Sequence, residues 1–165
     1  MAYATDRQGV ATQVATALTA LIPSIVWYDA APGRIDNSIP LPVAVMEVGN
    51  GTLTQSKTGG GGYWNTITSQ GDLYTIHLLT ALPSETGSTT PGAIKALQAT
   101  IRQVKESLIV AQLLTGTLTT QIERILSIQD RYDGPHNIIQ YEQATFVGCH
   151  LDVLIVALDY LPTGN

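Results

Sequence analysis

The sequence predicts an α+β fold: one mixed, mainly antiparallel β-sheet, two helices packed on one face, and a long protruding β-hairpin. Three observations predict it. Two segments carry apolar residues at helical spacing, one near the start and one past the middle. Strand-like runs lie in blocks between and after them, which favours antiparallel pairing over an alternating βαβ wind. The run Val153–Leu158 is continuously apolar and β-branched, the pattern of a strand buried on both faces. At 165 residues the chain suits a single domain, 1–165, large enough to bury a core.

The first element is a helix from about Asp6 to Leu21. Val10, Val14, Ala17 and Leu21 form its apolar stripe, Thr5 and Gln8 have capping-box spacing, and Pro23 stops it. SIVWYD, Ser24 to Asp29, is a short strand, and AAPGRIDNSIPLP is a loop punctuated by Pro and Gly. VAVMEVG, Val43 to Gly49, is the second strand. TLTQSK and YWNTITSQ, separated by four glycines, then read as the two sides of a hairpin arm over about 49–72. LYTIHLLTAL, Leu73 to Leu82, is the next strand, with Tyr74, Ile76, Leu78 and Leu82 on one face and Thr75 and His77 on the other.

PSETGSTTPG reads as a loop. Thr90 as N-cap and Pro91 at the first turn open the main helix, whose stripe is Ile94, Leu97, Ile101, Val104 and Leu108. The helix is expected to run to Leu114, with Gly116 as its cap. QIERILSIQD, Gln121 to Asp130, fits neither period cleanly, and its context favours a strand. Asp133-Gly134-Pro135 is a turn, and HLDVLIVALDYL is the closing strand.

Charged residues make up 13% and the net charge is −5, with a pI of about 4.9. The eight basic residues are scattered, which argues against a nucleic-acid binder that must displace counterions with a basic patch. So sparse a surface charge hints that other subunits cover part of it. The single cysteine, Cys149, allows no intramolecular disulfide and no cysteine metal site; it reads as a small buried hydrophobe. No secretory signal is visible at MAYATDRQG, and no apolar run reaches the roughly 20 residues a membrane helix needs.

Few residues suggest chemistry. GTLTQSKTGGGG, Gly51 to Gly62, misses a phosphate-binding P-loop by one residue, Ser56 in place of the second Gly. That loop requires a helix to follow at once, whereas Thr58 leads into glycines and then Tyr-Trp-Asn-Thr-Ile. His77, His136 and His150 lack ligand spacing. His150 and Asp152 share a strand face and read as a surface contact, with Cys149 on the opposite face. Asp130 and Asp133 offer too few oxygens for a calcium loop. The residues therefore predict no enzyme: no catalytic, cofactor-binding or metal-binding set is assigned. What remains is an interface. Its candidates are Thr54, Lys57, Gly59, Gly60, Gly61, Gly62, Tyr63 and Trp64 on the hairpin arm, suited to pairing with a partner through backbone groups.

The order of these elements resembles the tail-terminator family of tailed bacteriophages and the related neck, head–tail joining and tail-completion proteins. The stretches that carry the resemblance are SIVWYD, IPLPVAVMEVG, SQGDLYTIHLLTAL, PGAIKALQATIRQVKESL and FVGCHLDVLIVALDYL. The resemblance spans nearly the whole chain and rests on element order, size and composition rather than on an invariant motif. It implies a structural virion protein, assembled in the host cytoplasm and residing in the tail or neck. Such a protein forms a homo-oligomeric ring, a hexamer, that caps the tail tube. The ring's partners are then the tail-tube protein and a head-side connector or stopper, and DNA passes through its channel without sequence-specific binding. The family implies no cofactor, no catalytic residue and no membrane. The tetraglycine departs from a rigid docking arm. A head-completion or stopper protein of the same joint is the alternative; a tail-tube subunit, a small soluble enzyme and a monomeric binding module are further readings.

Overall fold

The computed structural model describes residues 7–32, 35, 40–56, 66–87, 89–113 and 122–160. In chain order the elements are α1 (Arg7–Leu21), β1 (Val26–Tyr28), β2 (Val43–Ser56), β3 (Thr66–Thr80), a one-turn α2 (Pro83–Thr86), α3 (Thr90–Leu113), β4 (Ile122–Arg131), a 3₁₀ turn (Pro135–Asn137), β5 (Ile138–Tyr141) and β6 (Ala144–Tyr160). The fold is α+β with a mixed sheet, as the sequence predicts. The order across the sheet is β1-β2-β3-β6-β4, with β5 also paired to β6. Only β1–β2 is parallel; the other pairs are antiparallel.

Strand parity divides the molecule into two layers. Ala44 and Met46 of β2, Tyr74, Ile76 and Leu78 of β3, and Cys149, Leu151, Val153 and Ile155 of β6 point to one side. There they meet Val10, Val14 and Leu18 of α1 and Leu97, Ile101, Val104 and Leu108 of α3 in the main core. This is why both long helices lie on one face: each has one apolar stripe, and this side of the sheet carries the larger apolar cluster. A smaller cluster occupies the other face, where Val43, Val45 and Leu79 meet Ile35, Ile139, Tyr141 and Phe146. The β6 strand is thus covered on both faces near its start, although the uninterrupted apolar run that suggested it lies further on.

The surface threonines on the helices satisfy themselves. Thr16, Thr19 and Thr100 each donate the hydroxyl to the carbonyl four residues back, at 2.8, 2.8 and 3.0 Å. A helix can therefore carry a threonine-rich, weakly charged face without losing backbone bonds. At the start of α1, Arg7 Nη2 donates to Asp72 Oδ1 of β3 at 3.1 Å, pinning the helix to a carboxylate that is almost fully buried.

Local readings need several corrections. The cap of α3 is Thr89 rather than Thr90: its Oγ1 accepts from the Gly92 amide at 3.2 Å, which places Pro91 in the first turn. The helix ends at Leu113, and Gly116 lies outside the described residues. The Pro-Ser-Glu-Thr stretch read as loop holds α2, because the Leu82 amide donates to the Glu85 carboxylate at 3.0 Å and Gly87, at φ +69°, turns the chain out. Within the stretch Gln121 to Asp130, the described part belongs to a strand, Ile122–Arg131, as context suggested. The strand Ile138–Tyr141 was not foreseen. The hairpin's two sides are β2 and β3, antiparallel from Val43↔Leu79 to Ser56↔Thr66. Beyond the core they do not stand alone, because Thr66, Ile67 and Thr68 also pair with Tyr160, Asp159 and Leu158 of β6. The proposed tip, 57–65, lies outside the described residues.

Candidate functional site

Of the predicted interface residues, Thr54 lies on β2 opposite Thr68. Lys57, Gly59, Gly60, Gly61, Gly62, Tyr63 and Trp64 lie outside the described residues, and so does the second half of the near P-loop, 57–62. Two other places concentrate chemistry: a polar chain on the sheet's helix-free face, and the sheet edge at β4.

The polar chain crosses three adjacent strands. His77 of β3 and His150 of β6 are register partners, whereas Glu47 of β2 lies opposite Thr75, two residues along from Val45, the β2 partner of His77, and reaches His77 diagonally. His77 Nε2 lies 3.1 Å from Glu47 Oε2, the two Nδ1 atoms lie 2.8 Å apart, and His150 Nε2 lies 2.9 Å from Asp133 Oδ2. The imidazole rings meet edge to face with centroids 4.9 Å apart, and the Tyr141 ring leans on His77 at 5.0 Å. Tyr141 Oη donates to Glu47 Oε1 at 3.2 Å. Burial raises the Tyr141 hydroxyl's pKa, and the neighbouring Glu47 charge adds to this. Burial also pulls His77 below the ordinary histidine value, against the opposing pull of the Glu47 hydrogen bond. The hydrogen bond from His150 holds Asp133 below the usual carboxylate range.

A second cluster adjoins it. Thr75 Oγ1 and Arg131 Nε donate to the two oxygens of Asp152, at 2.9 and 3.1 Å. Burial raises the Asp152 pKa, but the hydrogen bonds from Arg131 and Thr75 outweigh it and leave the carboxyl low. His150 and Asp152 do share a face, as parity requires, but His150 is not a surface residue and its bonded carboxylate is Asp133. His150 is only 5% exposed. The signal available in the sequence was parity: Glu47, His77 and His150 each interrupt an apolar strand on the same side. Register, which decides that they meet, has no local signature.

Cys149 faces the main core, as expected. Burial pushes its thiol up to about 12, so at neutral pH the nucleophilic thiolate is scarce. Iodoacetamide is therefore expected to leave Cys149 unmodified in the native protein and to label it fully in denaturant. Stoichiometric labelling of the native protein at pH 7, followed by mass spectrometry, contradicts this burial.

At the sheet edge, an open groove of about 330 Å³ runs between α3 and β4, lined by Lys105, Ile109, Ile125, Leu126, Ser127 and Ile128. Ile109, Val110 and Leu126 are the exposed large hydrophobics among the described residues. The groove's end is braced by a relay: Gln98 Nε2 donates to Tyr132 Oη at 3.1 Å, Tyr132 donates to Asp130 at 3.0 Å, and Lys105 pairs with Asp130. The bond from Lys105 is the main reason the Asp130 carboxyl sits below its ordinary range. Among the described residues no group of three or more His, Cys, Asp or Glu side chains is placed to hold a metal ion, and no helix is long and apolar enough to cross a membrane. Compared with protein-family models and with curated proteins, the chain matches none.

Proposed function

We propose that this chain is a structural virion protein of a tailed bacteriophage, a tail terminator. Hexameric rings of it cap the tail tube, meet the head-side connector and surround a channel through which DNA passes. The observation that carries the reading is the order of elements around one sheet. An N-terminal helix lies on the sheet, β2 and β3 pair as neighbours out to Ser56 and Thr66, and a long helix packs on the same face. A central strand, β6, closes the fold.

Two features support assembly as the activity. Among the described residues the sheet ends at β1 on one side and at β4, with β5 also on β6, on the other, and edge strands are templates for pairing with another chain. Two of the three exposed large apolar residues among the described residues, Ile109 and Leu126, line the groove at the β4 edge. A ring closes by heterologous contacts, in which one patch meets a different patch on the next copy. Two unlike edges on one sheet suit that requirement. The segment from Thr54 to Trp64, with Lys57 and the four glycines, serves in this reading as the contact arm that meets a neighbour.

Deleting Gly59–Gly62 tests the arm. Those residues lie between β2 and β3 in the chain, glycine has no side chain to bury, and a change in the length of a chain connection costs little stability. The expected result is a protein with wild-type circular dichroism and melting temperature that no longer forms rings or joins tail tubes in electron micrographs. Normal rings from the deletion variant exclude the arm as the joint. Failure of the intact protein to cap tubes made from its cognate tube subunit excludes the terminator reading itself.

A further inference from the structure

The Glu47–His77–His150–Asp133 chain admits a proton count. A carboxylate only accepts hydrogen bonds, so the Nε2 atoms that face Glu47 and Asp133 must each carry a hydrogen. The Nδ1 atoms, 2.8 Å apart, need one hydrogen between them, because two acceptors or two donors facing each other at that distance repel. Three N–H hydrogens on two rings satisfy every contact, and neither two nor four do.

The chain's ends bear on one surface segment. Asp133, the Pro135–Asn137 turn and β5 form a flap over the sheet's helix-free face. It is joined to the sheet by β5–β6 pairing, by His150 to Asp133, and by Tyr141 to Glu47. The backbone is strained on both sides of β5: His136, Asn137 and Glu142 have φ of 60°, 58° and 54° without being glycine. Such conformations persist where surrounding contacts impose them.

We propose that the Glu47–His77–His150–Asp133 chain is a proton-operated latch, which holds the Asp133–Tyr141 flap against the sheet with three imidazole hydrogens and releases it when a fourth enters. A fourth hydrogen puts N–H against N–H and a positive charge on each ring, so the rings must part. The groups that face the pair are Glu47 from β2, His77 from β3, His150 and Asp152 from β6, Arg131 from β4, Asp133 from the bend and Tyr141 from β5, with Glu142 beyond Tyr141. Burial opposes the fourth proton most strongly, Glu47 favours it, and the His150 and Arg131 charges oppose it. His77 therefore takes up its proton below the ordinary histidine value near 6.5. The sign follows: the latch is lost as pH falls and the fourth hydrogen enters at that lowered value in the folded protein, and, because three hydrogens leave one ring charged, it is also lost at high pH when the third hydrogen leaves. The inference is independent of the assembly reading, since it concerns the isolated subunit.

The experiment follows imidazole nitrogens by NMR, and amide exchange at Ile139–Tyr141 corrected for intrinsic rates, on the full chain from pH 9 to 4.5. Between the loss of the third hydrogen and the entry of the fourth, the expected spectrum shows both Nε2 atoms protonated and one hydrogen shared between the Nδ1 atoms. Through the acid step the flap's opening constant rises, by at most about tenfold per pH unit for one proton. His77→Gln keeps a donor and an acceptor but cannot take the fourth proton, and is expected to flatten the acid response. Glu47→Gln removes the anion that favours a charged His77, and moves the midpoint to lower pH. Independent titration of two ordinary rings, pH-independent flap exchange, or an acid response unchanged in His77→Gln overturns the latch. If His77→Gln does not fold, Glu47→Gln decides alone: an unmoved midpoint overturns it.

Discussion

Gly148→Ala is expected to melt about 6–12 °C below the wild type, a loss of about 3 kcal/mol, measured by thermal denaturation followed by circular dichroism. Gly148 lies on β6 opposite Leu79 of β3, and a Cβ placed there meets the Leu78 carbonyl oxygen at 2.2 Å and the Ile139 side chain at 2.8 and 3.1 Å. The carbonyl belongs to a ladder flanked on both sides by paired strands, so it cannot move without disturbing β2, β3 and β6 together. Overpacking costs typically about 1–3 kcal/mol when side chains can yield; here the nearer atom is backbone, which places the loss at the top of that range. The double variant Gly148→Ala/Ile139→Val separates the two contacts. Shortening Ile139 relieves only the clash with the side chain, so most of the loss should remain. Full recovery in the double variant assigns the tight fit to β5 rather than to the strand ladder. A melting temperature within 2 °C of wild type, on the scale of about 1 kcal/mol or less, contradicts the close approach altogether.

Gly148 also shows which features the sequence makes legible. Periodicity located both long helices, because Val10–Leu18 and Leu97–Leu108 carry apolar stripes that survive any tertiary context. Parity placed Tyr74, Ile76 and Leu78 on one face and His77 on the other. Both signals are local, repeating along one element. The features that escaped are set between elements. Nothing near Gly148 announces that Leu78 and Ile139 converge on it. Glu47, His77, Asp133 and His150 lie up to 103 positions apart, the difference between 150 and 47, and only strand register brings them into one chain. Short elements were hard for a different reason. The single turn Pro83–Thr86 and the four-residue β5 are below the length at which either period can be distinguished. The predicted arm escaped in the opposite sense. Its polar, glycine-rich sequence marked it as an interface candidate, yet the part assigned most of the contacts, 57–65, lies outside the described residues.

Leu151→Ala is expected to cost about 3 kcal/mol, within the roughly 2–5 kcal/mol of large-to-small core changes, and to lower the melting temperature by roughly 6–12 °C. Leu151 is fully buried on β6, with Ile76 of β3 beside it on one side and Asp130 of β4 on the other. It belongs to the cluster that joins the sheet to α1 and α3. Truncation there removes contacts from both layers. The surrounding atoms sit on hydrogen-bonded strands that cannot collapse into the gap, so the cavity persists. The comparison that gives the number meaning is Leu126→Ala, one strand away on β4. Leu126 is 44% exposed and lines the open groove beside α3, so its truncation in the isolated subunit should change stability by no more than about 0.5 kcal/mol. Chemical denaturation with the urea slope held common to both variants separates the two effects. Under the assembly reading the ranking reverses for ring formation: Leu126→Ala weakens association between copies, whereas Leu151→Ala weakens it only in proportion to the unfolded fraction. Sedimentation of both variants at a temperature where each is fully folded distinguishes the cases. A Leu126→Ala protein that assembles as well as the wild type removes the β4 edge from the interface, while leaving the core argument for Leu151 intact.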